Sequence, residues 1–461
     1  MTPGQPNILR GPNGFEWWLI YMANKNDEHR GQYINRVQFF DKTLFVDGIT
    51  GPRTMGYHPE PSMPTFAGKG ETASFGVLQQ VQPSVAYLFE TGVKTEGGAG
   101  VIAWWKDADN CAYVGLDAEN RSWYLRTLVG GKENKESYAL PEDFRWGVYH
   151  HLRIERNGGC LKIWLDEILA PGRHVFAEAL PAEEAGVPGV FDETKSALFE
   201  GAAYTIGFDD VHFQLSGNEE LLKGDFLNDY ELSFQLSGLS GQDKAGSYPV
   251  YVDKDNYVKA QFDGITRMLE VTAVKKGKTA WKKEFPLGCL QTLYPDVKYT
   301  DFIEKGYRFA APAWLDTLYL NRHEAGNKSE FVDDMFGKFD IEYLNGGEWH
   351  PIENKDRGIA EHPAYNYCTF TPVKAEGIRF INKEAEDLER HIYKIGVHEL
   401  WKESYNFRAV RRADKLYLFV DGRELGALDI RYPASRIGFC SEGGSPVYSG
   451  TLYYHVGQRR D

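Results

Sequence analysis

The sequence has little basic charge: its 461 residues include 52 Lys and Arg against 66 Asp and Glu, for a formal net charge of −14. A nucleic-acid-binding protein needs a basic stripe that neutralises phosphates, and none is present, so we expect no nucleic-acid partner. Long apolar runs are also missing. None approaches the roughly 20 residues that cross a bilayer, so we expect no membrane span.

Cysteine is scarce, and no catalytic signature stands out. The sequence has no Gly-x-Ser-x-Gly elbow, phosphate-binding loop or His-Glu-x-x-His motif, so we assign no catalytic residue and expect no required cofactor. The cysteines are odd in number and lack the spacing of a zinc site, which favours free thiols over a disulfide scaffold. They are Cys111, Cys160, Cys289, Cys368 and Cys440.

Aromatic residues and glycine, by contrast, are abundant. Aromatics make up 14% of the chain, and there are 48 glycines. Aromatic side chains favour strands and glycines favour the turns between them, so the composition predicts an all-β chain. A chain of this length is too long for one ordinary domain and suggests about two to four.

An internal repeat indicates a duplicated domain. Each copy has a strand, an Asp-x-Asp-Asn turn and a second strand, then a long hairpin that ends in Asp or Asp-Gly, and finally Ile-Gly-Phe. Period-2 alternation dominates both copies, as in half-buried antiparallel strands. The turn and the hairpin are much farther apart in the second copy, which predicts an inserted domain. The landmarks are residues 104–117, 149–166 and 206–208 in the first copy, and 250–263, 405–422 and 437–439 in the second.

Two N-terminal stretches, residues 4–21 and 30–39, carry a family resemblance. The first reads Gly-Gln-Pro-Asn-Ile-Leu-Arg-Gly-Pro-Asn-Gly-Phe-Glu-Trp-Trp-Leu-Ile-Tyr, and the second reads Arg-Gly-Gln-Tyr-Ile-Asn-Arg-Val-Gln-Phe. They resemble the last blade of the five-bladed β-propeller of glycoside hydrolase family 43, the β-xylosidases and arabinofuranosidases. The resemblance implies that the catalytic carboxylates lie on earlier blades, which we expect to be absent from this chain.

Two positions of the family's active-site region fall within these stretches. The resemblance places Gln5 where the family has a histidine on the propeller axis, and glutamine can hydrogen-bond there but cannot titrate. It places Arg30 where the family has an arginine that points into the substrate pocket, and a guanidinium suits sugar hydroxyls. The carboxylates of the region, Glu16 and Asp41, match no catalytic position, and we expect both to be surface turn residues.

The repeat resembles a pair of concanavalin-A-like jelly rolls, and the segment inside the second copy resembles a discoidin-type (coagulation factor 5/8 C-type) galactose-binding sandwich. The predicted fold is therefore all-β: a partial β-propeller segment followed by two jelly-roll β-sandwiches, the second interrupted by a galactose-binding-like β-sandwich. The predicted boundaries are 1–50 for the last-blade segment, 51–72 for a linker, 73–216 for the first jelly roll, 222–285 and 402–459 for the second, and 286–401 for the insert.

Sugar binding is the activity that such modules imply, because aromatic faces stack on the apolar faces of sugar rings. We single out Trp104, Trp123 and Trp349 as stacking candidates, with burial in a core as the alternative for each. Trp104 and Trp105 must point to opposite faces of a strand, so at least one of them can be core. The Glu-x-Asp-x-Glu motif of concanavalin-like glucanases is absent, so catalysis within these modules is not expected.

The acidic turns of the two copies could offer oxygens to a structural calcium ion. They contain Asp107 and Asp109 in the first copy and Asp253 and Asp255 in the second. Asp-x-Asp-Asn turns need no metal, so the metal ligands are left unassigned and a structural calcium remains one alternative.

The leading hypothesis is that this chain is the C-terminal accessory, carbohydrate-binding part of a family 43-like glycosidase. By resemblance, such an enzyme acts on xylose or arabinose side chains of plant-type polysaccharides. We expect no catalysis by this chain alone. The expected partners are a polysaccharide or oligosaccharide and, in one version, a separate propeller polypeptide. The alternatives are a non-catalytic carbohydrate-binding protein and a purely structural β-sandwich protein. No signal peptide is recognisable, and the resemblance favours the bacterial periplasm or cell exterior.

Overall fold

The structure is a computed structural model, and the elements that it describes are all β-strands. This confirms the all-β prediction. Within the described residues, no helix is long and apolar enough to span a membrane. The structure describes residues 3–26, 29–40, 43–46, 60–68, 71–72, 76–167, 174–293, 302–321, 339–353, 355–360, 365–382, 394–402 and 404–457.

Many of the strands follow one another through tight turns. The first half of the chain contains β1 (Pro3–Arg10), β2 (Trp17–Asn26), β3 (His29–Phe40), β4 (Thr43–Val46), β5 (Phe66–Ala67), β6 (Glu71–Thr72), β7 (Gly76–Val77), β8 (Ala86–Lys94), β9 (Ala99–Asp107), β10 (Asn110–Asp117), β11 (Ser122–Val129), β12 (Lys132–Ala139), β13 (Tyr149–Asn157), β14 (Cys160–Leu165), β15 (His174–Glu178), β16 (Val187–Asp192) and β17 (Leu198–Gln214). The second half contains β18 (Asn218–Leu227), β19 (Asp229–Ser237), β20 (Lys244–Asp253), β21 (Asn256–Asp263), β22 (Met268–Lys275), β23 (Lys278–Pro286), β24 (Cys289–Leu293), β25 (Tyr307–Asn321), β26 (Phe339–Asn345), β27 (Glu348–Pro351), β28 (Asp356–Ala360), β29 (Tyr365–Asn382), β30 (Lys394–Trp401), β31 (Ser404–Arg412), β32 (Lys415–Val420), β33 (Arg423–Asp429), β34 (Ser435–Glu442) and β35 (Val447–His455).

Two β-sandwiches share one continuous twelve-stranded sheet. This sheet runs β15-β14-β13-β8-β17 and then β35-β19-β31-β32-β33, with β5 and β6 beside β17. The first sandwich faces its half of this sheet with β12-β11-β10-β9-β16-β7, and the second faces the other half with β23-β22-β21-β20-β34-β18. Read outward from the antiparallel β17–β35 pair, both halves have the same strand order. The strand order confirms the predicted duplication and relates the copies by a pseudo-two-fold axis at this seam.

The register corrects one landmark of the repeat. Tyr87 and Tyr230 are equivalent, because each hydroxyl donates to a backbone carbonyl of the facing sheet, at 2.5 and 2.6 Å. Ile206 lies opposite Tyr87, and His455 lies opposite Tyr230. Ile206 on β17 therefore corresponds to His455 on β35. Ile437 lies on β34, the counterpart of β16, so the match between the two Ile-Gly-Phe segments is wrong.

The four-stranded sheet β1-β2-β3-β4 packs on the outer surface of the twelve-stranded sheet, at the seam. Phe15 stacks on Tyr454 with ring centroids 6.2 Å apart, and Leu88 of the first sandwich joins this apolar cluster. Arg36 pairs with Glu231 of the second sandwich at 3.4 Å. The N-terminal sheet therefore rests on both sandwiches.

Glu16 is buried, which corrects its prediction as a surface turn residue. It is 1% exposed, and its Oε2 accepts hydrogen bonds from the indole of Trp18 at 2.9 Å and the backbone N–H of Ser62 at 3.0 Å. These donors stabilise a carboxylate that burial alone would disfavour. Asp41 lies outside the described residues.

The segment between β23 and β31 forms a sheet of its own, β24-β30-β25-β29-β26-β27, with β28 beside β29. It encloses a separate apolar core that includes Leu315, Ile341 and Phe380. In the first sandwich the equivalent connection, between β12 and β13, spans only residues 140–148. The galactose-binding likeness of this insert and the predicted domain boundaries stay predictions.

Candidate functional site

Alternation sends neighbouring aromatics to opposite faces of the six-stranded sheet of the first sandwich. Trp104 and Trp123 are both 0% exposed and lie in the core. Neither indole offers a face to a sugar, which corrects their selection as stacking residues. Their neighbours Trp105 and Tyr124 belong to an apolar cluster on the outer face. Trp105 is partly exposed, whereas only 8% of Tyr124 is exposed, so a ligand at this sheet would meet Trp105 and a small part of Tyr124.

The outer face of β9, β10, β11, β12 and β16 carries a connected group of aromatic and cationic side chains. Tyr113 packs edge-on against Phe191 with centroids 5.4 Å apart, and the Arg126 guanidinium lies 5.8 Å from the Tyr113 ring centroid. Lys135 Nζ lies 4.2 Å from the ring centroid of Tyr124. We call this surface the open face and define it by Trp105, Tyr113, Tyr124, Arg126, Lys135 and Phe191.

A depression of about 540 Å³ opens beside Tyr124, Arg126 and Lys135, with Asp117 and Glu193 on its rim. Ligand sites in proteins commonly enclose about 300–1,000 Å³. The depression therefore has the size of a small-molecule site, with one aromatic residue, Tyr124, in its lining and charged groups of both signs around it.

The polar groups here can both donate and accept hydrogen bonds. Burial raises the pKa of Tyr113 and of Tyr124 to about 12, so both hydroxyls keep their protons at neutral pH. Hydrogen bonds from the Asn120 side chain and backbone lower the pKa of Asp117, so that carboxylate stays ionised. Arg126 donates to Glu133 at 3.0 Å, which fixes the guanidinium beside the depression.

Gly115 creates the space in which the Tyr124 ring lies. A Cβ at Gly115 would stand 2.4 Å from Cζ and Oη of Tyr124, its direct partner across β10–β11. In the second sandwich the equivalent partners are Gln261 and Glu270. Lys282 pairs with Glu270 there at 2.7 Å. At this position the second copy therefore has a glutamate in an ion pair, whereas the first copy has a tyrosine with Lys135 over its ring.

One group of side chains has the composition of a metal site. Glu90, His151 and Glu167 place potential ligand atoms within 4.8 Å of one another. Arg153 pairs with Glu90 at 3.1 Å, and Arg10 pairs with Glu167 at 2.8 Å. A metal ion would have to compete with two guanidinium groups for these carboxylates, so the arrangement is an ion-pair network.

The Asp-x-Asp-Asn turns are closed by their own hydrogen bonds. Oδ1 of Asp107 accepts from the backbone N–H of Asp109 at 2.9 Å and from the side chain of Asn110 at 2.8 Å. Asp253 accepts the equivalent pair at 2.8 and 2.9 Å. Protein donors therefore hold both turns, and the structural calcium stays a prediction.

The other predicted site residues lie away from the strands of the open face. Trp349 is half-buried on β27 of the insert, where Arg379 lies 4.6 Å from its ring centroid and Gly306 also contacts the ring. Gln5 lies on β1 and Arg30 on β3. The side chains of Gln5 and Arg30 are outside the described part of the chain, so their pocket roles stay predictions.

Comparison with known proteins assigns no family to the chain. No family model matches, and no curated protein matches. Among solved structures, the carbohydrate binding module CBM66 from Bacillus subtilis is 18% identical and has a TM-score of 0.22, over 30% of this chain and 95% of that one. A GH43 protein from Bacillus licheniformis is 11% identical with a TM-score of 0.23, over 44% and 53%. The β-fructofuranosidase of Aspergillus kawachii is 10% identical with a TM-score of 0.27, over 98% and 70%. At these identities and scores the likenesses do not identify a family.

Proposed function

We propose that this chain is a carbohydrate-binding protein whose ligand occupies the open face of the first sandwich. The observation that carries the proposal is the Gly115–Tyr124 arrangement, which places the Tyr124 ring, 8% exposed, at the wall of a depression lined mostly by charged and polar side chains. Sugars combine apolar C–H faces with hydroxyls that donate and accept hydrogen bonds, and aromatic faces with a few polar groups complement both features. Tyr124 supplies the ring, and Arg126 and Asp117 supply donors and acceptors.

The internal duplication supports a binding role for the open face over a purely structural one. Both copies keep the core tyrosine and the Asp-x-Asp-Asn turn, so the scaffold itself does not need an aromatic residue at the position of Tyr124. In the second copy Glu270 stands in place of Tyr124 and takes part in an ion pair. The outer faces differ although the interiors are alike, as expected when one copy has specialised for a ligand.

We further propose that the chain is the accessory part of a glycosidase, with the family 43-like resemblance as the guide to its substrate class. The antiparallel β1-β2-β3-β4 order is compatible with a propeller blade. In this reading xylose- or arabinose-containing polysaccharide is the first ligand class to test. Purified chain is expected to release no aryl product from aryl xylosides, arabinofuranosides, galactosides or glucosides. Turnover of any of them would contradict the accessory role.

The binding proposal is tested by isothermal titration calorimetry with xylo-, arabino-, galacto- and gluco-oligosaccharides. The Tyr124→Ala variant is expected to lose at least about tenfold in affinity for the sugar that binds. Glu270→Ala, at the equivalent position of the second copy, is the matched control and is expected to bind like the wild type. Equal affinity of the wild type and Tyr124→Ala would contradict a site at the open face.

A further inference from the structure

A second groove, of about 750 Å³, lies where the N-terminal sheet meets strands β13, β14 and β15. Trp164 on β14 and Phe176 on β15 form its aromatic wall, with ring centroids 5.9 Å apart in an edge-to-face arrangement. Phe176 is 60% exposed. Arg10 of β1 also lines the groove. The groove therefore combines side chains from two sheets around an exposed aromatic surface.

Alternation places this wall on the outer side of the twelve-stranded sheet. Ile163 and Leu165, the neighbours of Trp164, point into the core of the first sandwich. The open face lies on the other sheet of the same sandwich, with that core between them. The two surfaces are therefore separate, and one ligand residue cannot occupy both.

A buried arginine holds the aromatic wall in place. Arg153 is 4% exposed, and its guanidinium lies 5.7 Å from the Trp164 ring centroid. It donates to the Gly14 carbonyl at 2.9 Å and pairs with Glu90 and Glu155 at 3.1 and 2.6 Å. Because this cation is fixed by groups on both sheets, the indole beside it is preorganised, which lowers the entropy cost of binding.

Five of the charged side chains around the groove take part in ion pairs, and the sixth, Glu178, lies beside the Cys160 thiol. Arg10 pairs with Glu167 at 2.8 Å, and Lys162 lies 3.6 Å from Glu155. A charged ligand would have to displace one partner of such a pair, whereas an uncharged ligand with hydroxyl groups can add hydrogen bonds at the edges of the pairs. Exposed aromatic rings together with paired charges therefore favour a neutral sugar over an ion.

We infer that this groove is a second carbohydrate site, which takes a segment of an uncharged oligosaccharide and stacks a sugar ring on Phe176 beside Trp164. The inference rests on the proposed function of the chain and extends it. Because the groove and the open face lie on opposite sheets of one sandwich, a single molecule binds two separate glycan segments. A chain built in this way links neighbouring polysaccharide strands.

The test is calorimetry of four proteins with xylohexaose and with arabino-, galacto- and gluco-hexaose: wild type, Tyr124→Ala, Phe176→Ala and Phe226→Ala. Phe226 is the matched control, since it is a 45% exposed phenylalanine on a strand of the second sandwich. The wild type and Phe226→Ala are expected to bind at two sites per molecule. Tyr124→Ala and Phe176→Ala are each expected to weaken one site by at least about tenfold and to retain the other.

The outcomes separate this inference from the proposed function. A single site removed by Tyr124→Ala and kept by Phe176→Ala would overturn the groove and leave the open face standing. A single site removed by Phe176→Ala and kept by Tyr124→Ala would overturn the open face and leave the groove standing. No binding of any hexaose would overturn both. A Phe176→Ala change in sedimentation coefficient without a change in sugar binding would mark the groove as a protein contact and overturn its sugar role.

Discussion

The ring of Tyr124 lies in the space that Gly115 leaves empty, since a Cβ at Gly115 would stand 2.4 Å from Tyr124 Cζ. The two residues face each other across β10–β11. Their counterparts, Gln261 and Glu270, also face each other but carry no aromatic ring. The two copies thus differ at one facing pair of residues, Gly115 and Tyr124 in the first and Gln261 and Glu270 in the second. Both pairs lie on the outer face of their sheet, so this difference leaves the core unchanged.

Gly115→Ala is expected to displace the Tyr124 ring and to reduce carbohydrate affinity at the open face by at least about tenfold. The three atoms nearest to the added methyl all belong to the Tyr124 side chain, so the fold should be retained at a cost of about 1–3 kcal/mol. Calorimetry and thermal denaturation measure the two effects. Gly241→Ala is the control, because its Cβ would make only an ordinary 3.5 Å contact with Trp314. Unchanged affinity in Gly115→Ala would show that the position of Tyr124 is irrelevant to binding.

Glu231→Gln is expected to destabilise the attachment of the N-terminal sheet. Arg36 and Glu231 are 1% and 2% exposed, and Arg408 lies 4.0 Å from the same carboxylate. In Glu231→Gln the buried guanidinium groups of Arg36 and Arg408 lose the negative charge that faces them, at a cost of about 3–5 kcal/mol. Urea denaturation and limited proteolysis within β1–β4 report the change.

Asp429→Asn is the control for this variant. It removes an ion pair with Lys415 in which the Asp429 side chain is 82% exposed, and water and salt screen such surface pairs so that they contribute little to stability. If Glu231→Gln were no less stable than Asp429→Asn, the seam would not depend on the buried pair.

Arg156→Ala is expected to destabilise both sandwiches together. Arg156 and its counterpart Arg411 each lie 5.9 Å from the ring centroid of the equivalent core tyrosine and donate to backbone carbonyls of nearby loops. Loss of Arg156 leaves buried acceptors unpaired, at about 1–3 kcal/mol each. Because β17 and β35 belong to one sheet, hydrogen exchange should lose protection in both copies and unfolding should remain one transition. Loss of exchange protection confined to the first sandwich would show that the copies unfold independently. Arg126→Ala, which changes a surface arginine, is the control.

The repeat was predictable because both copies keep local signals, namely the Asp-x-Asp-Asn turn and the period-2 alternation. The seam was not predictable, since β17 and β35 are far apart in sequence and only the full fold brings them together. The same reason explains Glu16: an isolated glutamate is normally exposed, and one of its buried hydrogen-bond donors is the backbone N–H of Ser62, which is 46 residues further along the chain.

The candidate site was partly within reach of the sequence. Adjacent Trp104 and Trp105 predict one inward and one outward ring, but not which is which. The choice is made by an irregular register between β9 and β10, where Ala112 pairs with Trp104 and Tyr113 pairs with Ile102. The alternation along β10 could have identified the outer face. Ala112, Val114 and Leu116 are apolar and point inward, so Tyr113, Gly115 and Asp117, which alternate with them, lie on the outer face.

His398 on β30 pairs with Asp316 on β25, and its ionisation is expected to make the sheet of the insert more stable in acid. Its Nδ1 lies 2.8 Å from Oδ1 of Asp316 on β25. The hydrogen bond that protonated His398 donates to Asp316 raises the pKa of His398, helped by the Asp316 charge and opposed by burial and by Arg423. The imidazole also packs against Gly288, just before the first strand of the insert, where a Cβ would stand 2.6 Å from its Cε1.

The sign of the effect follows from the raised pKa. A group whose pKa is higher in the folded than in the unfolded state stabilises the fold fully below its unfolded pKa, about 6.5 for histidine, and loses this contribution as pH rises through the folded pKa. The stability difference between wild type and Asp316→Asn should therefore be largest in acid and shrink as pH rises. NMR titration should show the His398 pKa falling in Asp316→Asn. Glu348→Gln, which removes an exposed carboxylate of the insert, should leave both measurements unchanged. A difference that grows with pH would instead mean that neutral His398 is the form that stabilises the insert.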